Sequence, residues 1–464
     1  MTAERFDTVI IGSGQAGKPL TFALAKAGWK VALVEREHVG GTCINVGCTP
    51  TKTMVASARV AHLARRGADY GVNVNDVNVN LPSVVARKQQ VVERFRDSGQ
   101  KKLEQADGVT LIFGQARFVD ATTVEVRLNG NGDRKRRLTA PRIVINTGGR
   151  PALPPIPGLN EVPTLDSTSV MELRAVPRHL LVLGGGYIGL EFGQMFRRFG
   201  AQVTVLQREA QLVPREDEDV AARLRGILEE DGIHVETDIA IERFTRAGKD
   251  IGVTFKRRGQ LHAVEGSHLL VAVGRKPNTE DLDLAAAGVA TTKSGHVQAD
   301  ATLATNVAGV FAVGDVKGGP EFTHISYDDF RVLRDRWIGN ADASIEGRLV
   351  PYTMFTDPQL ASVGLNESAA RKAGKDIRVA KIDMSGVARA LETDETRGLF
   401  KVIVDAKSGQ ILGCTVLGIE GGEIMSMIQI AMMGKLPYTA LKEAVFAHPT
   451  LAEGLNNIFL ALDG

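Results

Sequence analysis

A glycine-rich turn between a predicted strand and a predicted helix occurs twice in this chain, with the same internal spacing. The first copy lies in FDTVIIGSGQAGKPLTFALAKAGWKVALVE and the second in HLLVLGGGYIGLEFGQMFRRFGAQVTVLQ. The glycines are Gly12, Gly14 and Gly17 in the first copy and Gly184, Gly186 and Gly189 in the second. In both copies 23 positions separate the first glycine from the last residue of the next strand, Glu35 or Gln207. The chain is therefore expected to contain two strand–turn–helix–strand units of one type.

At each of the three positions of the pattern G-x-G-x-x-G, a glycine is needed for a different physical reason. The first permits a tight turn, the second lets a pyrophosphate approach the backbone, and the third lets the helix pack closely on the strand. The N-terminus of that helix offers N–H groups and the positive end of its dipole to phosphate. We therefore predict two dinucleotide sites. Two glycine-rich turns in one large sheet are the structural alternative, which the matching offsets disfavour.

The two copies differ at the end of their second strand. Glu35 of the first copy is placed to accept hydrogen bonds from a ribose, whereas the second copy has the uncharged Gln207, followed by Arg208. A carboxylate repels a 2′-phosphate, and an arginine binds one bidentately. With Arg215 also nearby, this favours NADPH over NADH at the second site. Both arginines are equally compatible with ordinary surface positions, and Glu209 reduces the local positive charge.

Further strand-and-glycine segments punctuate the chain, in RIVINTGGRP (142–151), LLVAVGRKPN (269–278) and GVFAVGDV (309–316). In the last of these, Asp315 follows the C-terminal end of a strand, where open α/β sheets bind ligands. The proline-rich RPALPPIPG (150–158) is a stiff connector and a plausible domain boundary. From about Gly347 onward, strand-like segments and an apolar helix at about 422–433 predict a separate antiparallel sheet with helices.

Composition and charge exclude several classes of protein. The chain has 464 residues, with 56 lysines and arginines against 54 acidic residues, so no excess of positive charge indicates nucleic acid or an anionic membrane as a partner. Three cysteines suit a reducing compartment, and no apolar run approaches the roughly 18 residues of a membrane-spanning helix. We expect a soluble, cytoplasmic protein. The basic run from Asp133 to Arg137 is predicted to be a solvated hairpin tip.

Two of the three cysteines stand close together, in GGTCINVGCTPTK (40–52). On a regular helix, residues five apart are separated by about 140° and about 7.5 Å, so a bridge between Cys43 and Cys48 needs a distorted turn. The neighbouring glycines supply one, and Thr49 and Pro50 are expected to cap and start the next helix. Cys48 would then lie by a helix N-terminus, which lowers the pKa of a thiol.

This cysteine pair has three interpretations. A zinc site needs more ligands than a C-x4-C pair supplies. Two unconnected core cysteines remain possible, although the surrounding glycines, prolines and asparagines do not suit a packed interior. A redox-active pair is the favoured interpretation. Cys414, in QILGCTVLG, is expected to be a small buried hydrophobe.

With these motifs, the chain resembles the FAD-dependent pyridine nucleotide–disulfide oxidoreductases, the group of dihydrolipoamide dehydrogenase, glutathione reductase and mercuric reductase, from Phe6 to Phe459. The resemblance implies an α/β fold with two Rossmann-like domains, for FAD and NAD(P)H, and a C-terminal α+β dimerisation domain. The implied boundaries are 1–150 for the first part of the FAD domain, 151–275 for the NAD(P)H domain, 276–346 for the rest of the FAD domain and 347–464 for the dimerisation domain.

The resemblance also implies which residues bind the cofactors. Gly12, Gly14, Gly17 and Glu35 would hold the ADP part of FAD, Asp315 its ribitol, and Gln115 and Ala116 its adenine. Further FAD contacts would come from Gly41, Thr42, Lys52, Thr147, Gly148, Phe322 and Thr323. The NAD(P)H contacts would be Gly184, Gly186, Tyr187, Ile188, Gly189, Glu191, Gln207, Arg208 and Gly274.

Catalytic roles follow from the same resemblance. Cys43 would be the thiol that attacks the substrate, and Cys48 would face the flavin. Lys52 would pair with Glu191 beside the flavin, although a surface ion pair is the alternative for each. Tyr187 is similar to the tyrosine that gates the nicotinamide pocket of glutathione reductase, with a core aromatic as the equal alternative.

The C-terminal FAHPTLAEGLNNIF matches the family motif H-P-x-x-x-x-E, with His448 and Glu453. Thiol–disulfide exchange needs a proton donor for the departing thiolate and a base for the incoming thiol, and a histidine serves both purposes. The carboxylate would orient the ring. In the family this histidine reaches Cys43 of the other subunit, so the resemblance implies a homodimer in which His448 completes the partner's active site.

Differences from the better-known members of the family limit which electron acceptors we expect. The final stretch NNIFLALDG lacks the cysteine pair of mercuric reductases, and Phe22-Ala23 stands where glutathione reductases have an arginine pair. The motifs GGTCIN, LVPREDED and HISYDDFRV are most similar to the mercuric-reductase-like, reactive-chlorine-resistance branch. We expect electrons to pass from NAD(P)H through FAD and Cys43–Cys48 to a disulfide or a thiophilic metal ion. A quinone reductase, a dihydrolipoamide dehydrogenase or a redox-sensing flavoprotein without turnover are the alternatives.

Overall fold

The computed structural model describes residues 2–130, 132 and 134–463. Its strands, numbered β1 to β22 in chain order, are Glu4–Arg5, Thr8–Ile11, Val31–Glu35, Val109–Asp120, Thr123–Leu128, Lys135–Thr139, Ile143–Ile145, Gly149–Pro151, His179–Leu183, Gln202–Leu206, His234–Glu236, Ile239–Ala247, Asp250–Arg257, Gln260–Gly266, His268–Val271, Arg275–Pro277, Val310–Ala312, Tyr352–Met354, Gln359–Gly364, Ile377–Asp383, Leu399–Asp405 and Ile411–Gly418. Its α-helices, α1 to α12, are Gly17–Lys26, Gly41–Asn45, Cys48–Arg65, Leu81–Glu104, Tyr187–Phe199, Glu218–Glu230, Thr323–Trp337, Glu367–Lys372, Ala388–Glu392, Gly421–Met433, Tyr438–Lys442 and Gly454–Leu460.

The chain divides into two compact units. The first unit comprises Met1–Thr53, Ala86–Ala152 and Gly274–Arg348. Its main sheet contains the parallel strand order β4-β3-β2-β7-β17, which is the order of a Rossmann sheet. The strands β2, β3 and β7 are buried along their whole length, as expected for strands covered on both faces.

The second unit comprises Met54–Val85, Leu153–Val273 and Leu349–Gly464. It contains a second parallel sheet in the order β11-β10-β9-β15, which repeats the inner strand order of the first unit. An antiparallel sheet, β12-β13-β14, lies in the same unit. The sequence repeat therefore corresponds to two α/β sheets of one topology, and the predicted α/β class is confirmed.

The C-terminal part of the second unit is an antiparallel sheet, in the order β18-β19-β22-β21-β20. The helix α10 packs on β19 and β22. A turn through Lys407, Ser408 and Gly409 joins β21 to β22. Cys414 on β22 is fully buried among apolar side chains, which confirms its prediction as a small hydrophobe.

Two local predictions are wrong. The helix α3 begins at Cys48, two residues before Pro50, because the carbonyl of Gly47 accepts the first hydrogen bond, from the Thr51 N–H. Thr49 is therefore inside the first turn and does not cap the helix. The basic run is also not a hairpin tip as a whole, because its residues from Lys135 onward form β6. Asp133 lies outside the described residues.

The arginines and lysine of β6 have acidic partners that the sequence pattern did not indicate. Lys135 lies 3.1 Å from buried Glu125 on the neighbouring strand β5, and Arg136 lies 2.6 Å from Glu4. These ion pairs neutralise the run within its own sheet. In the described part of the chain, no helix combines the length and the apolar character needed to cross a membrane.

Candidate active site

The first glycine turn, between β2 and α1, is packed so tightly that side chains are excluded from it. Gly12 has φ +102°, and a Cβ there would lie 2.3 Å from the carbonyl oxygen of Asn146, which follows β7. A Cβ on Gly17 would lie 2.2 Å from the carbonyl oxygen of Gly12. The start of α1 therefore lies directly against the turn, as close helix–strand packing requires.

The second glycine turn, between β9 and α5, reproduces these contacts. Gly184 has φ +111°, and a Cβ there would lie 2.5 Å from the carbonyl oxygen of Ala272, which follows β15. A Cβ on Gly189 would lie 2.1 Å from the carbonyl oxygen of Gly184. A Cβ on Gly186 would meet nothing within 4 Å, so space remains for a ligand at this glycine. Ile188 follows in the first turn of α5, 37% exposed.

Glu35 and Gln207 make equivalent hydrogen bonds at the two turns. Oε2 of Glu35 accepts hydrogen bonds from the Ser13 backbone N–H at 3.0 Å and from its hydroxyl at 2.6 Å. Oε1 of Gln207 accepts from the N–H of Gly185, the position that corresponds to Ser13, at 2.8 Å. Both side chains therefore fix the residue between the first two glycines, one with a charge and the other without.

The two arginines beside Gln207 are at the surface. Arg208 has a side chain 84% exposed, 2.6 Å from Glu209. Arg215 is exposed as well. These positions are open to solvent and to a phosphate, and they leave the choice between NADPH and NADH a prediction.

Two aspartates of the first unit lie where the FAD prediction places a ribitol contact, and only one of them has strong partners in the part of the chain that the structure describes. Fully buried Asp329 accepts a hydrogen bond from the Gly314 N–H and lies 3.2 Å from Lys317 and 2.7 Å from Arg348. The half-buried Asp315 has no comparable partner within the described residues, although burial raises its pKa and the charge of Arg275 opposes that shift. A ribitol hydroxyl could donate a hydrogen bond to Asp315, and this predicted role stays a prediction.

The other predicted FAD contacts also lie in the first unit. Gln115 and Ala116 are on β4, two and three residues beyond Phe113, the strand partner of Glu35. Thr147 and Gly148 follow β7, where Thr147 exchanges hydrogen bonds with Asn278. Phe322 precedes α7 and stacks on His324 at a centroid distance of 5.3 Å. Gly274, which is a predicted NAD(P)H contact, also lies in the first unit, and its carbonyl accepts a hydrogen bond from the Ala152 N–H.

The cysteine segment is attached to the first glycine turn. Ser13 Oγ accepts a hydrogen bond from the Gly40 N–H at 3.0 Å, and Gln15 Nε2 donates to the Gly40 carbonyl at 3.1 Å. A Cβ on Gly41 would lie 2.7 Å from Cα of Gly14, so the two glycines are in contact. Positive φ angles at Gly40 and Gly41 turn the chain into α2, which carries Thr42 and Cys43.

The thiols of Cys43 and Cys48 are in mutual contact, without a disulfide bond between them. The contact with Cys48 raises the pKa of Cys43, burial raises it further, and Thr323 and Lys52 oppose the shift. Once Cys48 is a thiolate, Cys43 therefore retains its proton. Sγ of Cys48 lies 3.1 Å from Oγ1 of Thr323, the first residue of α7. The third thiol is different, because burial alone raises the pKa of Cys414 to about 12.

Lys52 and Glu191 lie in different units. Lys52 is one turn after Cys48 on α3, so both residues are on one face of that helix. Glu191 is on α5, is 6% exposed and accepts a hydrogen bond from the Phe355 N–H at 2.8 Å. Their predicted pairing beside the flavin stays a prediction.

His448 and Glu453 form a dyad in the second unit. Nδ1 of His448 lies 2.9 Å from Oε2 and 3.0 Å from Oε1 of Glu453. Glu453 also accepts from the Thr450 N–H in a capping box, so its position is fixed by the backbone as well. The ring of His448 is 70% exposed, which leaves Nε2 open to another molecule.

Tyr187 belongs to a polar cluster that the sequence analysis missed. Its hydroxyl donates to Oε1 of Glu216 at 3.0 Å, and the hydroxyl of Tyr352 donates to the same oxygen at 2.7 Å. The two rings stack at 5.6 Å. Tyr352 lies 136 positions from Glu216 and has no motif of its own, so no sequence signal indicates this contact.

The described residues contain no group of three or more histidine, cysteine and acidic side chains that could hold a metal ion.

The chain is similar in sequence to one family of known proteins over almost its whole length. The model of the pyridine nucleotide-disulphide oxidoreductase family matches residues 6–329, and the model of that family's dimerisation domain matches residues 350–458. The probable pyridine nucleotide-disulfide oxidoreductase RclA of Escherichia coli strain K12 is 38% identical over 98% of this chain and 99% of its own length.

Other relatives match as extensively. A mercuric reductase of Lysinibacillus sphaericus is 35% identical over 99% of this chain and 83% of its own, and a dihydrolipoyl dehydrogenase of Geobacillus stearothermophilus is 31% identical over 96% and 94%. The solved Cu(II) complex of the HOCl-induced flavoprotein disulfide reductase RclA from Escherichia coli matches with a TM-score of 0.90 and 36% identity, over 98% of this chain and 99% of that one.

Proposed function

The chain belongs to the pyridine nucleotide-disulphide oxidoreductase family, and we propose that it uses NADPH and FAD to reduce a Cys43–Cys48 disulfide, which then reduces an external acceptor. Membership of the family implies FAD and a nicotinamide cofactor. The acceptor in this proposal is a disulfide or a thiophilic metal ion.

One observation carries the proposal: the cysteine segment is fastened to the glycine turn of the first unit. Ser13 links Glu35 to the Gly40 N–H, and Gly41 touches Gly14. A dinucleotide bound at that turn would therefore lie beside the segment that carries both thiols. Inert core cysteines do not need this attachment, and Cys48 is exposed rather than buried.

The residues of the first unit suit FAD by their chemistry. Gly12, Gly14 and the N-terminus of α1 would hold its phosphates, and Asp315 its ribitol. When bound, FAD supplies two-electron chemistry, taking a hydride from NADPH and giving an electron pair to a disulfide. Thr323 holds a hydrogen bond at Cys48 Sγ, and the helix N-terminus at Cys48 favours its thiolate.

Reduction of a disulfide acceptor by the two thiols balances in two exchanges. His448 first takes the proton of the Cys43 thiol, and the resulting thiolate attacks the acceptor disulfide, which forms a mixed disulfide and releases one acceptor thiolate. The Cys48 thiolate then attacks Sγ of Cys43, which restores the Cys43–Cys48 bond and releases the second acceptor thiolate. Each released thiolate takes up one proton. With Cu²⁺ as the acceptor, two ions each take one electron as the two thiolates form the disulfide.

His448 is proposed to supply the proton for the departing thiolate. Glu453 holds Nδ1, which leaves Nε2 at the surface for a substrate. The C-terminal region matches the family's dimerisation domain, and we propose a homodimer in which His448 serves Cys43 of the partner chain.

A metal ion as acceptor is supported by the relatives. A solved relative is described as a Cu(II) complex, and others are named mercuric reductases. Cys43 and Cys48 touch each other, and thiolates are ligands that soft ions prefer. We also propose NADPH rather than NADH, because Gln207 offers no carboxylate to repel a 2′-phosphate. The low cysteine count supports a cytoplasmic site of action.

Anaerobic titration with NADPH tests the proposal. In the family mechanism, two electrons per site leave a thiolate against the flavin, and a long-wavelength absorption band is expected. The Cys48→Ser variant should bind FAD and lack the band, while Cys414→Ser should retain it as the matched control. A wild-type protein that is fully bleached by NADPH without passing through such a band would contradict the proposal.

A further inference from the structure

Glu216 is a buried carboxyl group that no part of the proposed thiol chemistry uses. It is 5% exposed, and burial raises its pKa above the ordinary value of a glutamate, against the hydrogen bonds from Tyr352 and Tyr187. Oε1 accepts the hydroxyls of Tyr187 and Tyr352. Oε2 is buried, and it has no hydrogen-bond partner among the residues that the structure describes.

The loop that carries Glu216 is fixed to the second glycine turn. The Val213 N–H donates to the carbonyl of Gly185 at 2.9 Å, and the Glu216 N–H donates to the carbonyl of Val213 at 2.9 Å. Val213 has φ +40°, which is unusual for a β-branched residue and persists only where the surroundings enforce it. Glu216 is therefore held at one place relative to the start of α5.

Tyr187 is the first residue of α5, directly after Gly186. Its ring packs on the apolar core of the second unit, and its hydroxyl points to buried Glu216. The stacked ring of Tyr352, at the start of β18, closes the other side. Two side chains from separate parts of the chain, Glu216 and Tyr352, thus hold the Tyr187 ring toward the core.

We propose that Glu216 and Tyr352 are positioning residues that hold the Tyr187 ring away from the space needed by the nicotinamide half of the bound nucleotide. This rests on the proposed function, because it takes the turn at Gly184–Gly189 as the nucleotide site. A ring released from Glu216 gains rotamers that extend from the start of α5 into that site. Binding must then remove those rotamers, which lowers the affinity for the nicotinamide half.

Binding measurements on the FAD-loaded protein test this directly. Isothermal titration would compare NADP⁺ with 2′-phospho-ADP-ribose, which lacks the nicotinamide, or NAD⁺ with ADP-ribose if the wild type binds those instead. Tyr187→Phe and Glu216→Leu should weaken the intact nucleotide about three- to tenfold, the range expected for one hydrogen bond, and leave the fragment unchanged. Thermal melting would verify that both variants are folded.

Two matched variants control for unrelated effects. Glu216→Gln keeps an oxygen that accepts hydrogen bonds from both phenols and should bind like the wild type. Tyr438→Phe removes a phenol that contacts Arg378 and Asp463 and should also leave the ratio unchanged.

An unchanged ratio of the two affinities in Tyr187→Phe and Glu216→Leu, or tighter binding of the intact nucleotide, would overturn the positioning role alone. An equal loss of affinity for both ligands would show that the two residues have a merely structural role, and it would also overturn the positioning role. A wild-type protein that binds neither ligand would overturn the proposed nucleotide site, and the positioning role with it.

Discussion

Glu35 and Gln207 occupy equivalent places and accept a hydrogen bond from the equivalent N–H, at Ser13 and Gly185. The two side chains therefore have the same local geometry and differ in chemical type, since one is a carboxyl group and the other is an amide. The first turn therefore has an acidic side chain at this place, and the second turn has an amide. We propose that this one side chain decides the preference between NADPH and NADH, with the exposed Arg208 as a second contribution.

Gln207→Glu should reverse that preference. The new carboxylate can keep the hydrogen bond to Gly185, as Glu35 does to Ser13, while it repels a 2′-phosphate. We expect kcat/KM with NADPH to fall at least about tenfold relative to NADH, which corresponds to about 1.4 kcal/mol. Steady-state kinetics with both nucleotides measure this. Arg208→Ala is the comparison, and an unaltered NADPH:NADH ratio in Gln207→Glu would contradict the assignment.

At the scale of elements, the helix α5 offers a matched pair of glycines. A Cβ on Gly189 would lie 2.1 Å from the Gly184 carbonyl oxygen, whereas the nearest atom to a Cβ on Gly193 is 3.6 Å away. Gly189→Ala should displace the start of α5 and weaken nucleotide binding by tenfold or more, on the order of 1–3 kcal/mol. Gly193→Ala should bind normally and melt at the same or a higher temperature. Equal behaviour of the two variants in nucleotide titration and thermal melting would refute the close-packing account.

The helix α3 carries a histidine whose burial makes stability depend on pH. Burial lowers the pKa of His62 to about 4, and the charges of Arg198 and Arg397 act in the same direction against Asp231 and Asp357. Its Nε2 is buried and has no hydrogen-bond partner among the described residues. His62 is therefore neutral in the folded protein at pH 5, where most of it is protonated in the unfolded chain.

Stability should consequently fall as pH decreases from about 6.5 to about 4. In that window the unfolded state binds a proton that the folded state does not. After discounting for a half-buried side chain, the loss is about 1–3 kcal/mol. The melting temperature of His62→Leu should differ less between pH 7 and pH 5 than that of the wild type. Replacement of the exposed His38 should leave the wild-type difference in melting temperature unchanged. A His62→Leu melting curve with the wild-type pH dependence would exclude this origin.

The sequence predicts elements well where local spacing determines them. The two glycine turns, the strands around them and the helix after Gly421 follow from short patterns, and the structure has them there. The predicted start of α3 is wrong because the helix begins with the Gly47 carbonyl, which accepts from the Thr51 N–H, and no local signal distinguishes this start from a cap at Thr49. The Glu216 cluster was missed because its partners, Tyr187 and Tyr352, come together only through tertiary folding.

At the scale of the whole molecule, the proposed active site needs two copies of the chain. His448 and Glu453 are fixed to each other by short contacts, but the role of the dyad depends on Cys43 of a partner. A protein with that arrangement loses activity when either Cys43 or His448 is replaced. A hybrid dimer, however, recovers one complete site.

Mixing two inactive variants tests this arrangement. Cys43→Ser and His448→Ala homodimers should each lose at least about a hundredfold in disulfide reductase activity. After subunit exchange, hybrid dimers combine an intact Cys43 with an intact His448, and activity should return to about one quarter of the wild type for a statistical mixture. Native mass spectrometry would confirm the exchange, because the hybrid dimer has a mass between those of the two homodimers. Complete exchange without recovered activity would contradict a site shared between chains.

The central claim is that Cys43 and Cys48 form a disulfide that NADPH reduces through the bound flavin. Mass spectrometry after anaerobic alkylation of the denatured FAD-loaded protein tests it most directly, before and after one equivalent of NADPH per site. The account predicts one alkylated cysteine, Cys414, before NADPH and three afterwards, with Cys48→Ser showing no such increase. Three alkylated cysteines in air-oxidised protein, or no gain after NADPH, would contradict it.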